Sequence, residues 1–198
     1  MKIGFDLDNT IVDYSHAVQI YVKNLEIHNV KTVPELRNWF RIRNQNEEWT
    51  RAQSWLYSEG LQFAKITEGA FDVLSALNKF PFEFSILSHK SVFGPQKYGS
   101  REFRKSMNDW FSGSELGNMC INKIEYFNSL DEKIEGIRRG GFAYFIDDLR
   151  KVFEHRNFPH FTFPILFSAE KCGVQNEESV EILTIDKFSS LMDLLSSR

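Results

Sequence analysis

Three short apolar runs in this chain of 198 residues end in side chains able to do chemistry. Lys2-Ile3-Gly4-Phe5 leads into Asp6-Leu7-Asp8-Asn9-Thr10, Phe84-Ser85-Ile86-Leu87 ends in Ser88, and Ala143-Tyr144-Phe145-Ile146 ends in Asp147-Asp148. An ionised carboxylate at the end of a buried strand must be paired or must hold a cation. In a parallel sheet the carboxyl ends of the strands border the ligand crevice, so such runs would deliver four Asp and one Ser to one edge. Four carboxylates gathered there repel one another without a cation, and an all-oxygen set of donors suits Mg²⁺. The plain alternative for the first run is an Asx-type turn, with Asp8 or Asn9 capping a helical turn, and for Asp147-Asp148 a solvated helix N-cap.

The elements that would position these residues follow from periodicity. From about Tyr14 to Ile66 strand alternation is missing, and helical spacing replaces it in Ala17, Ile20, Tyr21, Leu25 and again in Trp49, Ala52, Gln53, Leu56. Pro34 suits the opening of a helix through Glu35-Leu36-Arg37-Asn38-Trp39-Phe40. Strands and helices then alternate. The pattern predicts a helix from Ala70 to Lys79, the strand ending at Ser88, a helix from Tyr98 to Phe111 and a strand Ile124–Phe127. A helix from Asp131 to Arg139 closed by Gly140-Gly141 and the strand ending at Asp147 come next. A helix from Leu149 to about Arg156, strands 162–167 and 180–185, and a last helix from about Lys187 to Leu195 complete the pattern. Such alternation implies an α/β fold with a parallel sheet and helices on both faces, a Rossmann-like core.

The ordered motifs resemble the haloacid dehalogenase superfamily, in its phosphatase-like branch. Phe5-Asp6-Leu7-Asp8-Asn9-Thr10 looks like the first motif of that superfamily, Ile86-Leu87-Ser88 like the second, and Ile146-Asp147-Asp148 like the fourth. The resemblance implies a catalytic core over residues 1–13 and 67–198 and a small helical C1 cap over 14–66, which covers the site and selects small substrates. It also implies Mg²⁺-dependent hydrolysis of a small organophosphate through an aspartyl-phosphate. In that scheme Asp6 attacks phosphorus, and Asp8 protonates the leaving alkoxide and then activates water. Asp6, the Asp8 backbone carbonyl and Asp147 hold the metal, with Asp148 completing the site through a water or by orienting a lysine. Ser88 binds the transferring phosphoryl group. Dehalogenases and phosphonatases resemble the first motif but lack the second Asp, so Asp8 points to phosphate transfer to water.

The third motif is a single lysine, and geometry must choose it. Lys133 follows the strand Ile124–Phe127 through a short loop and opens the next helix, which places it at the carboxyl edge. Lys123 precedes that strand and should point from the opposite edge, about 13 Å or more away at about 3.3 Å per residue. Lys90 and Lys97, after Ser88, are the competitors.

Composition narrows the alternatives. A net charge of -3 gives no basic field for a nucleic-acid polymer, and no apolar run reaches membrane-spanning length. Cys120 and Cys172 lack metal-ligand spacing and are too few for a disulfide framework, which suits a reducing compartment. With the first strand starting at Met1, a cytoplasmic protein acting on a small phosphorylated metabolite is expected. A nucleoside monophosphate phosphatase of the 5'-nucleotidase type and a non-catalytic phosphate- or protein-binding regulator are the other readings. The segment 14–66 is rich in aromatic and basic residues, among them Trp39, Phe40, Arg41, Arg43, Trp49, Arg51, Trp55 and Tyr57. Each either lines a substrate pocket or belongs to the segment's own core and solvated face. Tyr14 and His16 lie near the hinge and could face the pocket, as could His89.

Overall fold

A computed structural model describes residues 1–79, 82–168, 173–177 and 180–196. The chain opens with strand β1 (Lys2–Phe5) and, after a tight turn, the two-residue strand β2 (Val12–Asp13). Helices α1 (Ser15–Lys23), α2 (Val33–Arg41) and α3 (Asn46–Leu56) follow. A 3-10 turn at Glu59–Phe63 leads to β3 (Lys65–Ile66), which pairs antiparallel with β2. The expected all-helical stretch 14–66 therefore ends in a strand, and β2 and β3 form a two-stranded stem through which the helical segment leaves and rejoins the sheet.

Beyond the stem the chain alternates through α4 (Ala70–Asn78), β4 (Glu83–His89), α5 (Phe103–Ser112), α6 (Gly117–Cys120) and β5 (Ile124–Phe127). It continues through α7 (Leu130–Gly140), β6 (Tyr144–Asp147), α8 (Arg150–Phe153) and β7 (Phe163–Phe167). The last elements are β8 (Gly173–Glu177), β9 (Val180–Ile185) and α9 (Phe188–Ser196). The main sheet has the order β5-β4-β1-β6-β7-β9-β8, parallel throughout except for β8, which runs antiparallel to β9. This is the α/β Rossmann-like core anticipated from the sequence. An apolar layer forms on each face of the sheet through the two-residue period of the strands. Ile3 and Phe5 face one side, where Phe5 stacks on Phe188 of α9, while Gly4 faces the other under the Phe145 ring. A Cβ at Gly4 would come within 2.4 Å of that ring, so the close contact of β1 with Phe145 requires glycine.

Two expectations are corrected, and one strand was unforeseen. The helix foreseen from Tyr98 begins only at Phe103, because Gly99 and Ser100 both take left-handed conformations (φ 98° and 45°) that break a right-handed helix. The helix foreseen to Arg156 stops at Phe153, where the chain turns so that Phe158 packs edge-on against Phe153. β8 was not foreseen, since Gly-Val-Gln-Asn-Glu carries no apolar alternation. Cys120 is a free buried thiol, and Cys172 lies outside the described residues. Among the described residues no helix is long and apolar enough to cross a membrane.

Candidate active site

The carboxyl ends of β1, β4 and β6 are adjacent in the sheet, and this adjacency assembles the residues that the sequence scattered. After β1 the backbone folds back tightly: the Ile11 and Val12 amides both donate to the Leu7 carbonyl, and the Asn9 amide donates to the Val12 carbonyl. Asn9 takes φ 60°, a left-handed conformation that Asn tolerates better than most residues. The turn keeps Asp6 and Asp8 at the sheet edge.

Asp6 and Asp147 share one lysine. Lys133 Nζ donates to an Asp6 carboxylate oxygen and, at 2.7 Å, to Asp147 Oδ2. The lysine lies in the first turn of α7, whose N-cap is Ser129, with its hydroxyl accepting from the Glu132 amide. Lys133 is 2 % exposed and its ammonium is held above the usual lysine range: burial works against the charge, but Asp147 and Asp6 outweigh it. The expected lysine is thus the one that sits there. Asp147 Oδ1 accepts from the Leu149 amide at 2.8 Å, which fixes the turn that presents Asp148. Lys133 bonds Asp147 and Asp6, and its charge also acts on the neighbouring Asp148 carboxyl.

Asp6, Asp147 and Asp148 each offer a carboxylate oxygen within 4.8 Å of the others. Burial, Lys133, Asp147 and Asp8 act on Asp6 in that order of size, and the net effect raises its carboxyl to about 7. Asp148 is pushed well above the carboxylate range by burial and then by Asp147 and Asp6. Three crowded carboxylates with one lysine among them are short of positive charge, and an all-oxygen group of this kind fits a hard divalent cation such as Mg²⁺.

Asp8 turns its carboxylate away from that group. Its Oδ1 accepts from Lys90 Nζ at 2.8 Å and from the Tyr14 hydroxyl at 2.5 Å, so any share of Asp8 in a metal site falls to its backbone carbonyl. Lys90 is 2 % exposed, and its Nζ also sits 3.6 Å above the Tyr57 ring. Burial lowers its affinity for the proton, partly offset by Asp8. Lys90, weighed against Lys133 for one role, therefore occupies a second position of its own. Lys97 pairs with Glu47 on the surface, and Lys123 reaches Asn78 and the Phe84 ring, away from the carboxylates. Ser88 is fully buried inside β4, with its hydroxyl 3.5 Å from Asp8 Oδ2, so in this structure it faces Asp8. Tyr14 supports Asp8 from behind, and His16 packs against Phe63. Replacing Lys90 by Met leaves Asp8 with the Tyr14 and Ser88 hydroxyls but no cation, and should cost about 3 kcal/mol of stability, read from denaturant unfolding.

A cavity of about 650 Å³ opens above these groups. Asp6, Asp8, Asp148, Lys90, Lys133 and His89 line it, together with residues of α2 and α3. Burial, then Lys133 and Lys151, hold His89 below its ordinary value. Arg41, Trp49 and Tyr57 line the cavity, as one of the two sequence readings allowed. Arg43 instead stacks on Trp39, Arg51 lies over the Tyr98 ring, and Phe40 and Trp55 pack within the helical segment. Arg37 lines the cavity and was not singled out from the sequence. The stripe Pro34, Arg37, Asn38, Arg41 at helical spacing was the signal that could have found it.

No family model matches the sequence, and no curated protein does. Solved structures match along nearly the whole chain at low identity. A HAD family hydrolase from Deinococcus radiodurans R1, solved with bound phosphate and sodium, aligns at 11 % identity with a TM-score of 0.61, over 99 % of this chain and 95 % of that one. A predicted phosphoglycolate phosphatase from Haemophilus somnus 129pt aligns at 12 % identity and TM-score 0.53, over 98 % and 96 %. Protein Tyrosine Kinase A from Mycobacterium tuberculosis aligns at 11 % identity and TM-score 0.59, over 98 % and 97 %. The last of these carries a kinase name on the same architecture, so the reaction has to be argued from the site. Sheet order, motif placement and full-length structural likeness together give this chain the fold of the haloacid dehalogenase superfamily.

Proposed function

We propose that this protein hydrolyses phosphate monoesters of small organic molecules, with Mg²⁺ as cofactor and Asp6 as nucleophile. The observation that carries this reading is the division of the two motif carboxylates. Asp6 joins Lys133 and the Asp147–Asp148 group, while Asp8, two residues on, is held apart by Lys90 and Tyr14. This division supports a reading in which one carboxylate bonds phosphorus and the other handles protons.

In the first step an Asp6 carboxylate oxygen bonds phosphorus, the ester P–O bond breaks, and Asp8 gives a proton to the departing alkoxide. Lys90, whose proton burial loosens, donates to Asp8 at 2.8 Å and holds that carboxylate in position. In the second step Asp8 takes a proton from water as that water attacks phosphorus, and the bond to Asp6 breaks. Lys133 holds Asp6 in place and offsets negative charge on the phosphoryl oxygens. Asp6, Asp147 and Asp148 would hold Mg²⁺, which supplies the positive charge that lets a carboxylate approach an anionic phosphate. Ser88 would orient the phosphoryl group only after leaving Asp8. The helical segment between β2 and β3 acts as the cap, and its cavity-lining face chooses the substrate.

The test is phosphate release from p-nitrophenyl phosphate. Release should stop with EDTA and return with Mg²⁺, whereas release indifferent to EDTA would contradict the cofactor assignment. Asp8→Asn should slow alkyl phosphates by about 100-fold or more and p-nitrophenyl phosphate much less, because an activated leaving group needs little protonation. Equal loss on both substrates would remove Asp8 from the acid role.

A further inference from the structure

The part of the cavity lining that α2 supplies points to what the substrate carries beyond its phosphoryl group. α2 turns Val33, Pro34, Arg37, Asn38 and Arg41 toward the cavity, one stripe at helical spacing, while Leu36 and Phe40 are buried on the other side. A capping box at Thr32 and Glu35 fixes the start of the helix, and Arg41 donates to Asn38 Oδ1 at 2.9 Å along the stripe. Among the described residues neither the Arg37 nor the Arg41 guanidinium has a carboxylate partner. The lysines of the cavity differ: Lys90 is bonded to Asp8, and Lys133 to Asp6 and Asp147. The two arginines are thus cations lining the cavity without a carboxylate partner, in a space far larger than one phosphate needs. Paired guanidiniums of this kind match carboxylate and phosphate oxygens through bidentate hydrogen bonds.

Resting on the phosphatase reading, we propose that the substrate is a phosphate monoester whose alcohol part carries a second anionic group, a carboxylate or a second phosphate, bound by Arg37 and Arg41. The test is calorimetric binding of alkylphosphonates of increasing chain length to the Mg²⁺-loaded protein, each compared with the same chain ending in a carboxylate or a second phosphonate. At one length an anionic end should tighten binding about tenfold or more, as a charged hydrogen-bonded contact would. The better of the two ends tells carboxylate from phosphate. The double variant Arg37→Gln/Arg41→Gln should erase that advantage, while Arg43→Gln, which lies off the cavity, keeps it. Both arginines are exposed, so a matching thermal melt is expected and would confirm that the variant is folded. Phosphonates that bind with no gain from an anionic end at any length would overturn the inference and leave the phosphatase reading standing. So would an advantage that survives the double variant. Failure of every phosphonate to bind, with no phosphate released from p-nitrophenyl phosphate, would overturn both.

Discussion

Asp6→Asn should reduce phosphate release by about 10⁴-fold or more, the scale seen when a covalent nucleophile is removed from a machinery that works as a unit. The substitution keeps the shape of the side chain and removes the charged oxygen that would bond phosphorus. It should not unfold the protein. Burial already disfavours the ionised form of Asp6, raising its carboxyl to about 7, so a neutral amide in its place is tolerated. Lys133 also retains Asp147 as partner. Steady-state rates on p-nitrophenyl phosphate, taken beside a thermal melt, separate the two effects. A folded variant with near wild-type turnover would remove Asp6 from the chemistry.

Lys133→Met should lower kcat/KM by about 10³-fold, because an electrostatic stabiliser of the transferring group typically accounts for that much in a dry site. The lysine is buried and bridges Asp6 and Asp147, so its loss leaves two buried carboxylates without their shared cation. Breaking a buried pair in this way costs about 3–5 kcal/mol of stability, and the loss should appear in denaturant unfolding as well as in kinetics. Lys123→Met supplies the contrast. That residue touches Asn78 and the Phe84 ring at the far end of β5, and its replacement should leave kcat/KM near wild type. A large kinetic loss at Lys90 with none at Lys133 would move the role to the loop after β4.

Strand tips were legible in the sequence because buried parallel strands are short apolar runs with abrupt polar ends, and β1, β4 and β6 all have that form. Lys133 was legible for the same reason: position relative to β5 fixed the edge from which it emerges. The pairing of Lys90 with Asp8 was not, since residues 82 apart in sequence meet only through the register of β4 beside β1. Ser88 was read as open to a phosphoryl group because it follows an apolar run, yet β4 continues to His89 and keeps its hydroxyl buried beside Asp8. In the helical segment, periodicity identified helices but not which stripe faces the cavity. That depended on how α2 and α3 settle over the sheet edge, and it separated Arg37 and Arg41 from Arg43 and Arg51. The break at Gly99-Ser100 shows the same limit locally, where backbone handedness overrode a helical pattern.

The central claim is a covalent bond between Asp6 and phosphorus, and the most direct measurement is to trap it. The Mg²⁺-loaded protein is mixed with substrate, quenched in acid, treated with borohydride, and its peptides are sequenced by mass spectrometry. Borohydride reduces an acyl phosphate to an alcohol, so the account predicts homoserine at position 6 and none at position 8, only when both substrate and Mg²⁺ were present. Homoserine at another aspartate, or an unmodified Asp6 in protein that is turning over substrate at the moment of quenching, would contradict it.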